Sequence, residues 1–204
     1  MGIICQIHSK KEETRIFFFF FHPDYSGCTV EFAREGLHYM SAIGLDFDLQ
    51  QHNLSNIPLD KWTTEDFNTA RELHHKIHQS HGPTKMLESF IGLKKHDVVL
   101  LRGGPNPVAL VEVTGPYYMA EKTHTVAGNP NCANGETVYW DWPRHRFPVK
   151  ILGWYEEDKE RCELNIKPPH SGTFSPLYDQ GTGTYQGIVK WLRCLGFDYQ
   201  IEKH

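Results

Sequence analysis

Hydrophobic and polar positions follow different rhythms along this chain, and the changes of rhythm mark its elements. From Ile16 to Phe21 every residue is apolar, and the run is closed by Pro23, Asp24 and Gly27. So short an aromatic stretch predicts a strand buried on both faces, the central first strand of a sheet. From Thr29 to Gln50 the pattern is mixed, with a short helix predicted around Val30 to Glu35, and Asn53 to Pro58 reads as loop. At Thr63, Thr64, Glu65 and Asp66 a capping signature precedes Phe67, Ala70, Leu73, His74 and Ile77. Their spacing of three and four predicts an amphipathic helix stopped by Gly82 and Pro83. A second helix is predicted from Thr84 to about Gly92, with Met86, Leu87, Phe90 and Ile91 on one face.

Beyond Gly92 the rhythm becomes that of strands. Val98 to Leu101 and Val108 to Val113 are aliphatic and flank Gly103, Gly104, Pro105, Asn106 and Pro107, which predicts a hairpin whose second strand ends at Gly115 and Pro116. Thr123 to Gly135, rich in Gly, Asn and Pro, reads as a surface loop before strands at Glu136 to Trp142 and Phe147 to Tyr155. Leu164 to Tyr185 looks irregular, and a closing helix from Gln186 to Leu195 ends at Gly196. Strands and helices do not alternate regularly. The order therefore predicts an α+β fold with a small barrel-like sheet rather than a doubly wound one.

Composition narrows this picture. With 204 residues, 39% hydrophobic and 13% aromatic, the chain can bury one substantial core, so a single domain spanning 1–204 with an insertion is expected. The longest apolar run is too short to span a bilayer, and the N-terminus lacks the pattern of a secretory signal. A soluble cytoplasmic protein with no membrane partner is expected. Cys5, Cys28, Cys132, Cys162 and Cys194 are irregularly spaced without a Cys-x-x-Cys pair, which predicts isolated reduced thiols and no structural disulfide. A formal net charge of -4 argues against a protein that coats nucleic acid through many phosphates. It leaves room for a local reader, which needs only a small basic rim around one pocket.

Three segments carry a resemblance. Lys94 to Leu101, Ala109 to Tyr118, and His145 to Leu152 resemble the PUA-like superfamily in its EVE and YTH branch, most closely the EVE-like domains attached to McrBC-type, modification-dependent restriction systems. The similarity covers roughly Trp62 to Tyr155. The glycine that usually precedes the aspartate is His96 here, and the segment around 28–60 is longer than the family pattern, so the insertion is assigned there. The resemblance implies a small, strongly curved β-barrel flanked by helices, with a pocket whose aromatic walls receive one flipped base. Stacking a base on an aromatic ring contributes about 1–3 kcal/mol, against a few kcal/mol for extrusion, so at least two stacking partners and edge hydrogen bonds are required.

Candidate residues follow. Trp62, before the first capped helix, is a cage wall on the resemblance and a hydrophobic staple on its position. Trp140 and Trp142 share one face of their strand, as pocket lining or barrel filling, while Tyr117 and Tyr118 end a strand as pocket walls or rim tyrosines. Asp141 and Asn106 can read a base edge or serve as turn polarity. Arg102, Arg144, Arg146 and Lys150 are the phosphate candidates, set against a solvated charged face.

The expected function is a non-catalytic reader of DNA carrying a modified, most plausibly methylated, base, with nuclease or AAA+ motor activity on other domains or partners. A reader of methylated RNA of the YTH kind is the alternative, since both use the same cage. No cofactor and no metal are expected. The rival from another class is a metal-dependent hydrolase built on His74, His78 and His81, which share a helix face but lack the His-Glu-x-x-His pattern. A peptide-binding module is a third reading.

Overall fold

The computed structural model describes residues 14–20, 30–45, 84–103, 105–120, 145–169, 174–177 and 182–198. Among the described residues seven strands form one mixed sheet: β1 (Ile16–Phe20), β2 (Ala42–Leu45), β3 (Val98–Gly103), β4 (Asn106–Val113), β5 (Tyr118–Met119), β6 (His145–Trp154) and β7 (Phe174–Pro176). Their order is β2-β6-β4-β3-β1-β7, with β5 also on β6. The described helices are α1 (Val30–Met40), α2 (Thr84–Ile91), α3 (Tyr155–Asp158) and α4 (Gly183–Cys194). The sheet curls into a half-barrel, in keeping with the α+β expectation. Register shifts between Leu101 and Arg102 and between Leu110 and Val111 fall in its central strands, and such irregularities bend and twist a strand locally.

β1 shows why both faces are covered. Alternate side chains of a strand point to opposite sides, so Phe17 and Phe19 enter one core while Ile16 and Phe18 enter another. The first core is closed by Ala33 and Leu37 of α1 and by Phe90 and Ile91 of α2. Within it Phe17 stacks on Phe174 at 5.3 Å, and Phe90 meets Phe147 edge-on at 5.2 Å. The second core is closed by Tyr185, Ile188, Trp191 and Leu192 of α4. Each large apolar side chain so buried contributes about 1.5–3 kcal/mol. β1 lies between β3, to which it runs parallel, and β7.

Several elements differ from expectation. The helix at Val30 continues to Met40, because Ala33 and Leu37 give it a buried face that outlasts Glu35. It is followed by β2, a strand the mixed pattern hid, which pairs with the start of β6. β7 lies inside the stretch read as irregular. α4 begins at Gly183, earlier than expected, where the Thr182 side chain accepts a hydrogen bond from the Tyr185 amide, and past its end Gly196 has a left-handed φ of 82°. The helix expected over Phe67 to Ile77 and the strand expected over Glu136 to Trp142 lie outside the described residues.

The expectation of no disulfide is overturned. Cys162 and Cys194 are bonded, their Cα atoms 5.7 Å apart. Chain spacing gave no sign of it because the two meet only after α4 has packed its apolar face on the sheet beside the turn that follows α3. Cys5, Cys28 and Cys132 lie outside the described residues.

Candidate nucleic-acid interface

β6 carries the candidate site because its side chains take opposite sides in turn between Arg146 and Lys150. Phe147 and Val149 point into the first core, which turns Arg146, Pro148 and Lys150 to the other side. In register, Tyr118 lies opposite Arg146 and Glu112 opposite Lys150, and directly opposed residues share a face. One strip therefore holds Tyr118, Arg146, Pro148, Lys150 and Glu112. Tyr118 is 37% exposed and the Lys150 side chain 53%, whereas Arg146 is buried at 9%.

The Glu112 carboxylate is the centre of this strip. Its side chain is only 4% exposed, yet both oxygens are engaged by groups that reach solvent: His96 Nδ1 lies 2.7 Å from Oε1 and Lys150 Nζ 2.8 Å from Oε2. His96 projects from the turn that leads into β3, with a φ of 74° that is unusual for a residue bearing a side chain. The turn is held by hydrogen bonds from the Asp97 amide to the Lys94 carbonyl at 3.1 Å and from the His96 amide to the Val113 carbonyl at 2.9 Å. Beneath it Asp97 is buried, accepts from the Lys94 amide at 2.7 Å and pairs with Arg15, whose Nε donates at 3.1 Å. Burial raises the Asp97 carboxyl above its ordinary value, and Arg15 opposes that rise without cancelling it.

The other sequence candidates fall elsewhere. Tyr117 is buried, its hydroxyl 2.7 Å from His145 Nδ1 and its ring edge-on to Phe147, so it faces the core. Arg102, at 6% exposed, is drawn over the Phe18 ring at 5.8 Å, and burial lowers its pKa. Asn106 is exposed and pairs with Gly103 at the hairpin tip. That tip adjoins the Trp154 end of β6, about 25 Å of strand from Tyr118. There α1 builds a second aromatic and cationic cluster, with Arg34 over the Trp154 ring at 4.5 Å, His38 at 5.0 Å from it, and Glu157 paired with Arg34. Trp62, Trp140, Asp141, Trp142 and Arg144 lie outside the described residues, as do His74, His78 and His81. Among the described residues no group of three or more His, Cys, Asp and Glu side chains is arranged to hold a metal.

Sequence reasoning missed His96 and Glu112 as a pair. The available signals were a histidine where a turn favours glycine and one carboxylate interrupting an otherwise aliphatic strand from Val108 to Val113. Among the described residues no helix is long and apolar enough to cross a membrane. No protein-family model matches the chain, and comparison with curated proteins and with solved structures finds no match.

Proposed function

We propose that this protein is a non-catalytic reader of nucleic acid that binds DNA carrying a modified, methylated base through a PUA-like barrel of the EVE and YTH kind. The observation that carries the reading is the strip on β5 and β6, where an exposed aromatic ring, Tyr118, shares a sheet face with the solvent-facing cation Lys150. A flat ring offers a stacking surface to an extruded base, and an ammonium group offers a counter-charge to the flanking phosphate. Trp62, Trp140 and Trp142 are the further cage walls in this reading, with Asp141 at the base edge. Nuclease and motor activities belong to partner domains or subunits. The reading puts the protein in the cytoplasm.

The test is equilibrium binding to duplexes of one sequence, unmodified or carrying 6-methyladenine, 5-methylcytosine or 5-hydroxymethylcytosine, with single-stranded RNA alongside. One modified duplex is expected to bind best, and Tyr118→Ala is expected to weaken it about tenfold, within the range for one stacked base. Equal affinity across the duplexes would sink modified-base reading, and preference for methylated RNA would turn the reading to the YTH alternative.

A further inference from the structure

We infer that the turn Lys94-Lys95-His96, together with Lys150, is a phosphate grip that holds the nucleic-acid backbone beside Tyr118; this rests on the nucleic-acid reading above. Two of the arginines expected to hold phosphate, Arg102 and Arg146, are buried, so the backbone contacts must come from cations that reach solvent. Lys94 and Lys95 are both exposed on the turn, and Lys150 reaches the same carboxylate as His96 from the neighbouring strand. Among the described residues of this cluster the ammonium groups of Lys94, Lys95 and Lys150 outnumber the one carboxylate, Glu112, that Arg15 does not match, since Arg15 pairs with Asp97. The local charge is therefore positive in a chain whose formal net charge is -4. Such a contrast steers a polyanion to one place and repels it elsewhere.

The cluster is also built rather than incidental. Asp97 and Arg15 clamp the turn from inside, which fixes where Lys94 and Lys95 leave the surface. Glu112 draws Lys150 and the His96 ring together from two different elements, and with Nδ1 on the carboxylate the imidazole's Nε2 is directed away from it. Glu112 is thus a positioning residue, and the lysines are the groups that meet phosphate oxygens. Arg146 and Lys150 lie four residues apart on one side of β6, about 13 Å along the strand, so the grip and the Tyr118 ring are separate footholds on one strip.

The experiment uses the full chain and two probes, a labelled duplex DNA and a labelled single-stranded RNA of one sequence, titrated over a series of salt concentrations. Lys94→Gln with Lys95→Gln, and separately Lys150→Gln, are compared with the parent and with Lys190→Gln on α4, all checked for an unchanged melting profile. The double variant is expected to bind about tenfold more weakly at low salt, and to lower the slope of log affinity against log salt by about two, one per lysine. Lys190→Gln is expected to change neither. A parent that binds while the double variant keeps its affinity and slope overturns the grip and leaves the reader standing. A parent that binds neither probe overturns both, and the probe that shows the loss identifies the backbone held.

Discussion

Two carboxylates, Asp158 and Glu112, are both nearly shut off from solvent, yet their surroundings differ in kind. Asp158 accepts from the buried Trp191 indole at 2.9 Å and from Arg161 at 2.6 Å, beside Gly153, where an added Cβ would come within 2.5 Å of its oxygen. The Cys162–Cys194 bond closes the same corner. The Trp191 hydrogen bond and the disulfide both tie α4 to this corner, while the half-exposed Arg161 meets Asp158 from the turn after α3. Glu112 instead spends both oxygens on half-exposed groups from two elements, one of them in a left-handed turn. A satisfied carboxylate within a stapled core contributes to the fold, whereas one that gathers cations at the surface prepares a place for something to bind.

The contrast can be broken first at the stapled corner. Replacing Cys162 and Cys194 together by Ala opens a loop with a sequence separation of 32, for which loop-closure entropy predicts a loss of about 3–4 kcal/mol. Chemical denaturation should show this, while nucleic-acid binding well below the melting temperature should be unchanged. A variant as stable as the parent would show that apolar packing alone seats α4.

A smaller effect is expected at the turn beneath the grip. Arg15→Ala leaves Asp97 buried without its cation and should cost about 2–3 kcal/mol, below the full value for a broken buried pair because Arg15 keeps a wet side. The sign with pH follows from the proton balance. Burial already raises the folded carboxyl above its ordinary value, and losing Arg15 raises it further, so the folded variant binds a proton more readily than the unfolded chain. Its deficit is full at neutral pH and shrinks as pH falls through the raised value. A deficit constant from neutral to acid pH would contradict this.

The smallest effect sharpens the role of His96. At a φ of 74° a side chain costs about 1–2 kcal/mol that glycine avoids, so His96→Gly should be more stable than His96→Ala by about 1 kcal/mol in matched melts. Equal stabilities would mean that the turn relaxes around alanine.

The parts of the fold legible in the sequence were those whose signal is local. β1, β3, β4, β6 and α4 announced themselves through period, turn residues and caps. β2 and β7 are too short to show a period, and β7 gains its identity from pairing with β1 at the other end of the chain. Of the candidate site, Tyr118 was legible as an aromatic at a strand end and Lys150 as a cation in the run beside the aromatic segments. The burial of Arg102, Arg146 and Tyr117 was not, because proximity in sequence does not tell which face of a curled sheet a residue takes. The Glu112 cluster joins three segments that meet only through strand register.

The parallel pairing of β1 with β3 carries a consequence for the chain as it is made. Ile16 finds its partner at Val98, so during synthesis the five consecutive phenylalanines from Phe17 to Phe21 emerge long before β3 exists to receive them. Such a segment, strand-prone and uncharged, is a template for pairing with other chains while it waits. The sheet's most hydrophobic strand is therefore its chief hazard in biogenesis, and yield at elevated expression should depend on shielding of the nascent N-terminal region until the hairpin has left the ribosome.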